Sequence, residues 1–198
     1  PAPTQNMNVR VGATRSNLVI SRIGADRSVR IYNRAGNTNV LVDVVGYFTT
    51  GALESTRAGR VVPLGVPFRA FDTRLAAFGK VPLGPGQAED WSFAAFSNSV
   101  NIGGAPVGKQ TALLGNLTNA SLARSVSTVP VSSSLTVYPT PAVTGTKPPT
   151  IANLATVEGV AVSNAAVVPF SAKQTVRVYN AKGYAHYAFD VYAVVLGD

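Results

Sequence analysis

Residues Ser28 to Gly51, SVRIYNRAGNTNVLVDVVGYFTTG, decide the fold because they return near the C-terminus. The second stretch is Thr175 to Asp198, TVRVYNAKGYAHYAFDVYAVVLGD, and it aligns with the first without a gap, residue 28 with residue 175. The match extends back to Asn6 and Asn153, and about a quarter of the paired residues are identical. The chain therefore contains an internal repeat.

Each copy has the alternation that is typical of a β-hairpin. Apolar residues recur at every second position of two strands and predict one buried face: Val29, Ile31, Val40, Val42, Val44 and Phe48. Between the strands, Gly36 and its counterpart Gly183 occupy the same place in a four-residue loop, which predicts a backbone position with positive φ. We expect the same two-stranded hairpin in both copies.

The hairpin register also predicts charged pairs. It sets Arg30 opposite Asp43, and Arg177 opposite Asp190, on a face whose other residues are largely apolar. A carboxylate buried there needs a partner because an unpaired buried charge is strongly unfavourable. Two alternatives stay open for Asp43, namely a cross-strand pair with Arg30 and a position facing solvent at a sheet edge.

Composition favours a folded all-β protein. Hydrophobic residues make up 46% of the 198 residues and charged residues only 13%, and short bursts of Val, Thr and Tyr are separated by Gly, Pro and Asn. The absence of cysteine excludes disulfides and thiolate chemistry. No apolar run is long enough for a transmembrane helix. The net charge of +8 would suit an anionic partner, but the basic residues are scattered, which argues against nucleic acid.

The repeat divides the chain into three parts. Residues 1–51 match only the last third of a longer unit, residues 52–60 form a linker, and residues 61–198 form one complete module. The predicted fold is an antiparallel β-sandwich or jelly-roll-like module preceded by a partial copy of itself. Because a third of a module cannot close a core and leaves open strand edges, the partial copy is expected either to have lost preceding residues or to dock on residues 61–198 or on a neighbouring subunit.

The order of motifs resembles a known family. PFRAFDTR (67–74), PLGPGQ, LLGNLTNA, SLTVYP and VRVYNAKG are similar to a β-repeat module of actinobacterial exported proteins and of minor tail proteins of phages that infect actinobacteria. The family ending DVVGYF is kept at 43–48, whereas the second copy has Ala193 in place of the glycine. The resemblance implies an extracellular, non-enzymatic role in attachment, adhesion or assembly, and it leaves phage and cellular origin open.

Catalysis finds little support in the residues. His186, the only histidine, lies four residues before Asp190, roughly 13 Å along a strand, too far for a dyad. No nucleophile elbow, phosphate-binding loop or metal motif is present, so no catalytic residue, metal or cofactor is predicted. Asp72 is predicted to form a structural salt bridge with Arg69 or Arg74 rather than to serve as a glycosidase carboxylate.

Sugar binding is the binding function that the residues favour most, because sugar sites combine aromatic faces with hydrogen-bonding side chains. The candidate ligand-binding residues are Trp91, Tyr184, Tyr187, Asn180 and His186. The expected partners are neighbouring subunits, as a homo-oligomer or among virion proteins, and cell-envelope polysaccharide. The alternative function is that of an accessory wall-binding domain of a secreted hydrolase such as a peptidoglycan amidase.

Overall fold

A computed structural model describes residues 5–49, 58–99, 110–120, 132–157 and 159–197. All of its assigned strands lie after residue 60, and the helical structure of this part is one 3₁₀ turn, Ala76–Phe78, and one short helix, α1, Ala94–Ser99. The eight strands are β1 (Val61–Asp72), β2 (Ala88–Ser92), β3 (Gln110–Asn119), β4 (Ser132–Pro139), β5 (Leu154–Val157), β6 (Val162–Pro169), β7 (Thr175–Asn180) and β8 (Tyr187–Leu196).

The strands form two four-stranded antiparallel sheets, ordered β1-β8-β3-β6 and β2-β7-β4-β5. The first strand pairs with the last, the second with the seventh, the third with the sixth and the fourth with the fifth. This nested pairing is that of an antiparallel ribbon rolled into a two-layer jelly roll. The predicted all-β sandwich is therefore confirmed.

Strand alternation builds the core between the two sheets. In β7, Val176 and Val178 are fully buried, and in β8 the fully buried side chains include Phe189 and Val191. These inward faces meet the apolar sides of β1, β3, β4, β5 and β6, and the resulting cluster includes Phe71, Leu113, Leu117, Leu135, Leu154 and Val168. At roughly 1.5 to 3 kcal/mol for each large apolar side chain, burial of this cluster is the main contribution to folding.

The hairpin prediction is wrong for the C-terminal copy (residues 153–196). β7 and β8 do not pair with each other, because β7 belongs to one sheet and β8 to the other. The intervening loop, residues 181–186, connects the two sheets. The alternation had identified the buried face of β7 and that of β8 as far as Val191, but Val195, the counterpart of Phe48, is only half-buried. Two apolar faces can meet across a core as well as side by side.

The N-terminal copy (residues 5–49) contains no strand, and nearly all of it is exposed. This differs from the strands predicted there, and the topology gives the reason. In the part of the chain that the structure describes, each of the six strand pairs joins a member of β1–β4 to a member of β5–β8, and no pair lies within β5–β8. A copy that corresponds to β5–β8 alone has no partner within itself from which to form a sheet.

The turns of the N-terminal copy nevertheless match those of the C-terminal copy. Gly36 and Gly183 have φ of 70° and 60°, as expected for the loop glycine. The same agreement holds for two further pairs, Gly12 with Gly159 (both 73°) and Arg27 with Gln174 (60° and 56°). The backbone bonds of the turns agree as well, since Arg27 N donates to Gly24 O and Gln174 N donates to Ser171 O. The repeat therefore exists in local geometry even where no sheet is formed.

Two smaller differences concern β1 and β2. β2 ends at Ser92 and α1 begins at Ala94, so the chain does not continue as a strand beyond Ser92. In β1 the pairing with β8 shifts between Arg69 and Phe71, which marks a β-bulge. Arg69 and Phe71 consequently do not share a face as simple alternation would have it, since Phe71 is buried and the Arg69 guanidinium contacts the outer carboxylate of Asp190.

Candidate functional site

The outer side of β1 carries the densest charge cluster of the described chain. The buried carboxylate of Asp72 accepts hydrogen bonds from Arg69 Nη1 at 2.8 Å, Arg74 Nε at 2.9 Å and Arg74 Nη2 at 2.6 Å. Arg69 also donates to both carboxylate oxygens of Asp190, at 2.8 and 3.1 Å. The structure thus brings Asp72 together with both of the arginines that the sequence offered as its partners.

The charged groups of this cluster are paired with one another, and none of them is a reactive group. The hydrogen bond from Arg74 is the main cause that lowers the pKa of Asp72 to about 2, against the opposing effect of burial. The carboxylate is therefore ionised and fully hydrogen-bonded at neutral pH. Such a group is suited to fixing β1 against β8 and the following turn, and it is not available to transfer a proton.

The two cross-strand pairs predicted from the hairpin are not formed. Arg177 bonds instead with Asp90 on β2, from Nε at 2.6 Å and Nη2 at 2.8 Å, and this interaction lowers the pKa of Asp90. Asp190 bonds with Arg69 because β7 and β8 expose their polar faces on opposite sides of the sandwich. Among the described residues no ion pair joins Arg30 to Asp43, since both lie in the N-terminal copy, where no sheet sets their register.

The aromatic residues proposed for sugar binding are largely part of the core. Tyr187 is fully buried, accepts a bond from Trp91 Nε1 at 2.9 Å and donates to Glu89 Oε2 at 2.7 Å. Trp91 stacks on Phe71 with ring centroids 4.9 Å apart. A sugar needs an accessible aromatic face, so the prediction is wrong for Tyr187, and Trp91 serves mainly to cover the core.

Asn180 is likewise a structural residue. Its buried side-chain amide donates to the carbonyls of Leu83, Gly84 and Gly183, and its oxygen accepts from Ser133 Oγ at 3.0 Å. These bonds join β7 to three neighbouring segments and leave no free donor for a ligand. The sequence-based assignment of Asn180 to a ligand site is therefore corrected.

The remaining two candidates, His186 and Tyr184, differ in their surroundings. His186 is partly buried, with its Nδ1 3.2 Å from Thr73 Oγ1, and its repeat counterpart is Asn39. Tyr184 is 52% exposed at the tip of the loop after β7, with its ring beside Gly84. The five residues therefore do not form one sugar-binding surface, and Tyr184 is the member whose aromatic face remains accessible.

The N-terminal copy presents the most unusual surface of the described chain, a row of exposed apolar side chains. Val42 and Val44 are 66% and 84% exposed, whereas their counterparts Phe189 and Val191 are fully buried. The same contrast holds throughout the inward positions of the repeat, where the exposed members are Val29, Ile31, Val40, Val42 and Val44. Exposed apolar side chains that correspond to core positions mark a binding surface.

The N-terminal copy also contacts the module directly. Ser16 Oγ accepts a bond from Ala155 N on the edge strand β5, at 2.9 Å, and Leu18 N donates to Asn164 Oδ1 on the edge strand β6, at 3.0 Å. These residues were not predicted as functional. The identity of Ser16 and Asn17 with residues 163 and 164 was the sequence signal that could have identified this region.

Two kinds of site are absent from the described ranges. Residues 5–49, 58–99, 110–120, 132–157 and 159–197 contain no group of three or more His, Cys, Asp or Glu side chains placed to hold a metal ion. Within the same ranges no helix has the length and apolar character needed to cross a membrane.

The exposed apolar row of the N-terminal copy, defined by Val29, Ile31, Val40, Val42 and Val44, is therefore the candidate functional site. It would act by strand pairing and burial of apolar surface rather than by chemistry on a small molecule. Comparison of the chain with protein-family models finds no match, and comparisons with curated proteins and with solved structures find none either.

Proposed function

We propose that the protein is a non-enzymatic structural and attachment protein, carried on a virion surface or exported to a cell surface, whose modules assemble through the N-terminal copy. The observation that carries the proposal is the state of residues 5–49, which repeat β5–β8 in sequence and in turn geometry yet expose the side chains that β7 and β8 bury. A surface of this kind needs a protein partner.

The polar residues of the module support a structural role over a catalytic one. Asp72, Asn180 and Tyr187 are buried and hydrogen-bonded to neighbouring strands and turns, so the side chains best placed for chemistry are already engaged in holding the fold. A jelly roll by itself does not specify a function, although viral coat and lectin domains share this architecture.

The extracellular setting and the choice of partner follow from the family that the motifs resemble. Neighbouring subunits, either copies of this chain or other virion or surface proteins, are the proposed partners of the N-terminal copy. A surface of Ser, Thr, Asn and Gly with only 13% charged residues is consistent with an exported or virion protein.

A second candidate function rests on Tyr184. Its exposed ring at a loop tip could stack on envelope polysaccharide, as in an accessory wall-binding domain of a secreted hydrolase. This function would use the loop after β7 and would not need the N-terminal copy, so the two candidates can be separated by mutation.

Retention assays separate them. Labelled chain is sedimented with isolated actinobacterial cell envelopes and, separately, with actinobacteriophage particles. We expect V42D/V44D to lower retention at least about tenfold, since a charge at these positions opposes burial. The matched control V81D/V143D changes valines that are 66% and 71% exposed outside the N-terminal copy, and it should behave as wild type.

The glycan candidate predicts a different pattern, in which Y184A and added soluble polysaccharide abolish retention while V42D/V44D has no effect. That pattern would overturn the assembly proposal. Release of soluble sugar or peptide fragments from the envelopes by the purified chain would overturn the non-enzymatic part.

A further inference from the structure

We propose that residues 5–49 are the β5–β8 half of a second jelly roll, and that they bind a polypeptide segment of the β1–β4 type supplied from outside these 198 residues. This inference rests on the proposed function and names the partner of the same surface. The partner is defined by its chemistry, namely a half-sandwich whose four strands have no β5–β8 of their own.

The strand topology of the module explains why residues 5–49 lack pairing partners of their own. All six ladders among the described residues of the module join a strand of the β1–β4 half to a strand of the β5–β8 half. Residues 5–49 correspond to the second half only, so they can supply one side of every ladder and the other side of none. The described part of the chain has no spare first half, because β1, β2, β3 and β4 are each already paired with the C-terminal copy.

The turns of residues 5–49 already have the hydrogen bonds that the corresponding turns have in the C-terminal copy. Asn33 Nδ2 donates to Gly36 O at 2.7 Å, as Asn180 Nδ2 donates to Gly183 O at 2.8 Å. Asn17 Nδ2 donates to Asn6 O at 2.8 Å, as Asn164 Nδ2 donates to Asn153 O at 2.6 Å. Turns that are formed before binding reduce the entropy lost when the strands become ordered.

The charged residues Arg30 and Asp43 indicate which charged side chains the partner should have. In the complete module the counterpart of Arg30 bonds with Asp90 on β2, and the counterpart of Asp43 bonds with Arg69 on β1. The partner should therefore place a carboxylate of its second strand against Arg30 and an arginine of its first strand against Asp43. This accounts for the retention of both charges in a copy that does not pair them with each other.

A second copy of this chain fits the surface poorly. Its β1–β4 half surrounds Tyr187 and Phe189, and the Tyr187 hydroxyl bonds with Trp91 and Glu89. The N-terminal copy has Val40 and Val42 at these two positions. Replacement of two large aromatic residues by valine would leave a cavity and two polar groups without partners. The partner's core should therefore be bulkier, and apolar where Trp91 and Glu89 bond with Tyr187.

The inference can be tested by joining a β1–β4 half covalently to the N-terminal copy. Residues 58–147 are fused directly ahead of Pro1 of the full chain, which preserves the register because residue 148 corresponds to residue 1. The substitutions V40Y and V42F restore the two large side chains that this particular first half accommodates. We expect hydrogen exchange of residues 29–33 and 40–44 to slow by roughly a hundredfold or more relative to the unfused V40Y/V42F chain.

Charge reversal tests the pairing in detail. In the fusion, R30D should lower the protection of the N-terminal copy, and D90R in the added segment should restore it, since the pair is re-formed with its signs exchanged. The original module, residues 61–198, serves as the internal reference in each sample because its protected amides report whether that part is folded.

Unchanged exchange in the N-terminal copy, with the original module still protected, would overturn the inference. Protection that develops in the unfused wild-type chain as a dimer forms would also overturn it and would identify a second copy as the partner. The fusion result does not depend on envelopes or virions, so a failure of the retention assay alone would remove the attachment role and leave the complementation intact.

Discussion

Asp72 shows how a single residue can hold two segments through charge. Its carboxylate is buried, yet it remains ionised because Arg69 and Arg74 supply three side-chain hydrogen bonds and the Arg74 backbone N–H supplies a fourth. Removal of one partner from a buried ion pair is costly, because the other charge stays desolvated.

This arrangement predicts acid sensitivity. A carboxyl with a folded-state pKa of about 2 and an ordinary value of 3.8 contributes stability that is present above about pH 4 and lost as pH falls toward 2. The shift corresponds to about 2 kcal/mol of unfolding free energy. Denaturant unfolding from pH 7 to pH 2 should show this loss in the wild type, and D72N should be less stable at pH 7 with a shallower pH dependence. Equal pH dependence in both proteins would contradict the assignment.

Tyr187 gives a second prediction for a single residue. Its hydroxyl joins Trp91 Nε1 and Glu89 Oε2 inside the sandwich, and burial with the neighbouring carboxylate raises its pKa. Y187F keeps the ring but leaves both partners without this bond, so we expect a loss of about 1 to 3 kcal/mol in the free energy of unfolding and an altered fluorescence of the single tryptophan. Y192F, which changes a more accessible tyrosine of β8, is the matched control and should have little effect.

The strands and turns show which part of the fold can be derived from sequence. Period-two alternation identified the inward residues of β7 and those of β8 as far as Val191, because that pattern depends only on the strand itself. Strand partners could not be derived in the same way. Apart from β4 and β5, the paired strands are distant in sequence. An apolar face also does not indicate whether the strand it contacts lies beside it in the same sheet or across the core in the other sheet. Trp91, Tyr187 and Asn180 were misassigned for this reason.

Asn33 and Asn180 provide a matched test of that reasoning. Both donate to the loop glycine three residues later, but Asn180 also bonds with Leu83, Gly84 and Ser133 from neighbouring segments. N180A should lower the free energy of unfolding by about 1 to 3 kcal/mol, whereas N33A should leave the unfolding of the module unchanged, since its turn lies outside the sandwich. An equal loss in both variants would show that the N-terminal copy is part of the cooperative unit.

Gly115 marks a close approach between β3 and β8. A Cβ at this position would overlap the backbone carbonyl oxygen of Asp190 and lie 2.8 Å from Phe189 Cζ. Backbone cannot move aside as a flexible side chain can, so G115A should destabilise the chain by about 1 to 3 kcal/mol or more in a thermal or denaturant melt. G46A is the control, because nothing lies within 4 Å of a Cβ there.

For the whole molecule, the jelly roll explains how one chain can contain both a closed sandwich and an unpaired half. The nested pairing divides the eight strands into halves that each depend entirely on the other. Residues 5–49, which match only the β5–β8 half, therefore have native-like turns and no sheet. The same division makes residues 5–49 specific for their binding partner. The register of their strands is set only when a complementary half provides the partner strand of every ladder.

Hydrogen exchange on the isolated chain tests this division with two nearly identical segments. Residues 29–33 read VRIYN and residues 176–180 read VRVYN, so their intrinsic exchange rates are similar. The second segment is held between β2 and β4, and we expect its amides to exchange at least about a thousandfold more slowly than those of the first. Dilute samples keep association from contributing. Equal protection would mean that residues 29–33 belong to a sheet in the free chain, and both the unpaired half and the partner inferred for it would then be wrong.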